Sequence, residues 1–83
     1  IRLRLRPLEI AVRRTEEEME RLIADLRALD ECLADPGIYA NAGGDGLKSL
    51  VVEKSAKDRM LRALEDQWLA ASDALESARE QVQ

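Results

Sequence analysis

The chain has 83 residues with no Phe or His and a single Trp, Tyr and Cys; 46% of it is hydrophobic and 36% charged. That length allows one small domain with a thin core and excludes a two-domain enzyme. With 13 basic against 17 acidic side chains the net charge is −4, which excludes a blanket affinity for nucleic acid or anionic membrane and leaves local basic patches to be read one by one.

Residues 1–6 alternate Arg with Ile or Leu and are expected to form a linker from a preceding domain. The start at Ile1, without Met, is what an excised piece of a longer chain would show. The alternation with Arg comes too early for a secretory segment, and no run of about 18 uncharged apolar residues occurs anywhere, so no membrane partner is expected.

A helix is predicted from Pro7 to Asp35. Its apolar side is Leu8, Val12, Thr15, Met19, Leu22, Leu26, Leu29 and Leu33, in alternating steps of four and three, which is the spacing of a coiled-coil seam. The rhythm continues backwards through Leu5 to Ile1, but Pro7 lacks an amide hydrogen and suits a first helical turn. Asp35-Pro36-Gly37 ends the helix: a residue before Pro avoids the α region, and Gly can take a left-handed exit.

Residues 36–46 read as a loop. Asn41 to Gly46 contains three of the four glycines, and Ile38 and Tyr39 are expected to fold back over the end of the seam. Gly43-Gly44-Asp45-Gly46-Leu47-Lys48-Ser49 tempts a phosphate-loop reading, but Leu47 separates Gly46 from Lys48 and no strand precedes it, so a turn with Asp45 as a helix cap is the better account.

A second helix is predicted over 47–82, with Leu47, Leu50, Lys54, Lys57, Leu61, Leu64, Trp68, Ala71, Leu75, Ala78 and Val82 on its seam. The short connection makes the helices antiparallel, with opposed residue numbers adding to roughly 80. The fold class is therefore all-α: an antiparallel two-helix coiled-coil hairpin. Lys54 and Lys57 interrupt the seam, their stems expected to pack across Leu26 and Leu22 while the ammonium groups reach water.

The search for chemistry is short. A lone Cys32 without His offers neither a metal cluster nor a catalytic couple; beside Leu33 it is expected to be buried or half-buried, and the chain reads as cytoplasmic. Acidic neighbours such as Glu65 and Asp66 have no pocket to shift a pKa. No metal, cofactor or enzymatic activity is expected of the hairpin itself.

Lys48, Lys54, Lys57, Arg59 and Arg62 fall within 15 residues holding only Glu53 and Asp58 as acids, and the antiparallel fold brings Arg21 and Arg27 to the same level. Such a patch could follow a phosphate backbone without reading sequence. Ile10 and Leu69 lie off the seam at one height near the open end and form an expected partner contact, which Leu3 extends; a weak homodimer would use it.

Leu33-Ala34-Asp35-Pro36-Gly37-Ile38-Tyr39, followed about thirty residues later by Gln67-Trp68-Leu69, resembles the C-terminal coiled-coil domain of ABC-F family ATPases of the Uup and YheS type; Pro7-Leu8 and Met19-Glu20 resemble the opening helix of the YheS-type version. The resemblance implies a non-catalytic arm attached to tandem ATP-binding cassettes of a parent ATPase, in ribosome-associated proteins of the cytoplasm. Its implied partners are DNA or ribosomal RNA and the cassettes of the parent chain. The alternative is a structural coiled coil for oligomerisation or docking, without nucleic-acid binding.

Overall fold

The computed structural model describes the backbone of residues 2–37 and 43–82 and, within them, the side chains of 5–37 and 44–81. Two helices, α1 (Arg2–Ala34) and α2 (Gly43–Val82), pack against each other along their length, and no strand occurs among the described residues. The expected fold-back of Ile38 and Tyr39 lies outside the described residues.

Every described seam position is buried or half-buried, from Leu5 to Leu33 on α1 and from Leu47 to Ala78 on α2. Among the described residues only Leu22, Leu26, Leu29 and Leu75 reach true burial, at 7–9% exposure. This follows from geometry. A helix with one neighbour hides one stripe, and its other three-quarters stays in water. The rod that results measures 61 × 15 × 14 Å, with a radius of gyration of 18.5 Å against about 12 Å for a compact chain of this length.

Both helices begin earlier than the sequence reading placed them. α1 starts at Arg2 and so absorbs the stretch expected as a linker, with Pro7 inside it. Pro7 is the sixth residue of the helix, where its missing N–H removes a single intrahelical bond, while continuing the helix half-buries Leu5 beside Leu75. α2 starts at Gly43, taking in glycines expected as loop. Glycine there costs backbone entropy, about 0.5–1 kcal/mol relative to Ala, but no hydrogen bond, and Asp45 in the first turn meets the positive end of the dipole.

The exit from α1 also differs from expectation. The Asp35 N–H donates to the Cys32 carbonyl at 3.2 Å, and the Gly37 N–H donates to Asp35 Oδ1 at 2.9 Å, an Asx turn. Gly37 is not left-handed; a Cβ there would sit 3.2 Å from Asp35 Oδ1, so what glycine supplies is room beside that carboxylate. Thr15, the polar member of the α1 seam, donates its hydroxyl to the Ala11 carbonyl at 2.8 Å and so faces the partner helix with its donor satisfied.

Candidate interaction surfaces

Lys54 and Lys57 sit on the seam of α2, and neither ammonium is left to solvent alone. Lys57 Nζ donates to Asp25 Oδ2 of α1 at 3.0 Å and lies 3.5 Å from Glu53 one turn back. Lys54 Nζ pairs with Asp30 Oδ1. These pairs fix the antiparallel register: their residue numbers add to 82 and 84, within one helical turn of the expected 80. They also hold both lysines above the ordinary value of 10.5: Lys54 through the hydrogen bond and charge of Asp30, Lys57 through the hydrogen bond to Asp25, which outweighs partial desolvation, with Glu53 adding to it.

The two pairs lie on opposite sides of the seam, and this divides the seven basic residues expected to act together. Arg21 shares the Asp25 side, in a shallow groove with Glu18, Asp25 and Met60. Arg27, one turn from Asp30, lies on the other side, as does Arg62, one turn beyond Asp58. Lys48 sits at a dent lined by Asp45, Ser49 and Val52 on the outer surface of α2, and Arg59 also points outward. Lys48, Arg59, Arg62, Arg21 and Arg27 are all exposed, with no ion pair among the described residues. The structure therefore brings Lys54 and Lys57 to acids of α1, leaves Lys48, Arg59 and Arg62 within one outward sector of about 60° on α2, and sets Arg21 and Arg27 on opposite sides of α1.

The expected partner contact is likewise divided. Ile10 is half-buried in a groove at the open end, with Leu5, Val12, Leu75 and Arg79, whereas Leu69 stands 53% exposed outside it. The side chain of Leu3 lies outside the described residues. Cys32 is exposed rather than buried or half-buried, because it precedes Leu33 and is turned about 100° off the seam.

Among the described residues no group of His, Cys, Asp and Glu could hold a metal ion, and no helix is long and apolar enough to cross a membrane. A feature that sequence reasoning passed over is a second stripe on α2. From Ala56 to Ala74 the residue before each seam residue is uncharged, namely Ala56, Met60, Ala63, Gln67, Ala70 and Ala74, and all but half-buried Ala56 are exposed. The signal was legible as the same alternation of four and three, displaced by one residue, but small side chains hide it from a search for large apolar groups. No protein-family model, curated protein or solved structure matches the chain, so the resemblance to the ABC-F family rests on the residues quoted for it.

Proposed function

We propose that the hairpin is a non-catalytic structural module of the cytoplasm, a location that its single free cysteine, Cys32, suits, and that it acts by docking its long faces on protein surfaces. The observation that supports this reading is the commitment of Lys54 and Lys57 to Asp30, Asp25 and Glu53, which removes the centre of the expected basic patch. What is left exposed of that patch is one outward sector of α2 with Lys48, Arg59 and Arg62, and the separated Arg21 and Arg27 of α1, on a rod whose net charge is −4. The competing reading, a nucleic-acid-contacting arm of an ABC-F ATPase, draws on Lys48, Arg59 and Arg62, which all stand exposed on α2.

Titration of labelled duplex DNA and a structured RNA at about 50 mM salt separates the two, since phosphate contacts are strongest when counterions are dilute. The docking module leaves both probes unbound. Binding that disappears when Lys48, Arg59 and Arg62 are changed together to Glu, with helicity intact, would overturn docking in favour of the arm.

A further inference from the structure

We propose that a second copy of this chain covers the side of the hairpin that carries Asp25 and Met60, packing antiparallel across a two-fold axis to complete a four-helix bundle. This rests on the docking reading and names its partner. The exposed area is 6422 Å², whereas a compact chain of 9.3 kDa exposes about 5,000 Å². One face of the rod, about 14 Å wide along the roughly 50 Å of α1, is about 700 Å² in projection, within the 600–1,000 Å² that one partner contributes to a stable interface.

The uncharged stripe of α2 lies 100° from its seam, and each helix of a four-helix bundle meets two neighbours at about that angle. Two such stripes in antiparallel contact set Ala63 against the partner's Ala63, Ala56 against the partner's Ala70, and Met60 beside the partner's Gln67. Small residues at the crossing let the backbones approach, and Met60, 55% exposed in one copy, becomes the anchor.

On the same side, α1 presents Arg14, Glu18, Arg21 and Asp25. Antiparallel pairing opposes Glu18 to the partner's Arg21 and Arg14 to the partner's Asp25, each twice by symmetry, their numbers adding to 39. A parallel arrangement would set like against like. The axis implied by these charges passes α1 midway between Glu18 and Arg21. The register of 82 to 84 carries that level to residues 62–65 of α2, where Ala63 lies. Charge on one helix and the lack of it on the other thus mark one axis.

Sedimentation equilibrium of the whole chain tests this. The wild type moves from 9.3 kDa to twice that mass as concentration rises. Ala63→Glu keeps a good helix former and abolishes the dimer. Glu18→Arg or Arg21→Glu alone weakens it about tenfold, because the axis doubles each like-charge contact, and the two together restore it to within about threefold. Circular dichroism shows unchanged helicity throughout; should Ala63→Glu unfold the chain, the charge exchange decides. A mass of 9.3 kDa at every concentration overturns the proposal and leaves the docking reading to its own titration. So does a dimer indifferent to the charge exchange, or one that responds only to Ile10→Glu and Leu69→Glu.

Discussion

Trp68 offers the sharpest test of how the seam is held. Its ring is half-buried on α2, and its Nε1–H is enclosed with no acceptor among the described residues. A fully buried Trp hides about 150–250 Å², so a half-buried one removes about 100 Å² from water, worth about 2.5 kcal/mol, and the void left by truncation brings the loss to about 3 kcal/mol. An enclosed unpaired N–H works the other way, costing about 1–1.5 kcal/mol while the indole is present. Trp68→Ala should therefore destabilise by about 2 kcal/mol net. Trp68→Phe keeps most of the ring, loses about 0.5–1 kcal/mol of half-buried area and removes the unpaired donor, so it should match or slightly exceed the wild type. Urea unfolding followed by circular dichroism at one protein concentration, with the slope unchanged, reads both values. If Trp68→Phe costs as much as Trp68→Ala, the N–H is paired and the seam depends on the larger ring.

Leu26→Ala, at one of the four positions buried among the described residues, should cost about 2.5 kcal/mol by the same measurement, toward the low end for buried leucines because the rod can collapse around the gap. Gly44→Ala should stabilise by about 0.5–1 kcal/mol: the residue is helical, a Cβ there meets nothing within 4 Å, and glycine carries the larger entropy loss. Alkaline titration should show the lysine pairs directly. Since both folded-state values are raised, the stability these pairs add is fully present below pH 10.5 and is lost as pH climbs beyond it, and a Lys54→Met, Lys57→Met double variant should lose that part of the alkaline decline.

The seam was legible because its spacing is set by helix geometry alone: each position from Leu8 to Leu33 and from Leu47 to Ala78 is at least half-buried. Helix ends were less so. Pro7 would break a helix in its middle, but near the start of α1 it removes a single bond, so packing of Leu5 could override it, and the glycines near the start of α2 carry an entropy cost that does not forbid a helix. The pairing of Lys54 and Lys57 was not legible in the basic stretch itself. Counting acids only in the neighbouring sequence missed Asp25 and Asp30, which arrive from 32 and 24 residues away once the chain reverses.

The distance between spin labels at Arg6 and Arg79, in a Cys32→Ser background diluted with unlabelled chain, tests the antiparallel hairpin most directly. Both residues line the groove at the open end, so a single short separation of roughly 20 Å or less is expected, given two helix axes about 8–10 Å apart. A separation approaching 110 Å, the length of one uninterrupted helix spanning those 73 residues, would contradict the hairpin and with it both the register of the lysine pairs and the axis drawn from that register.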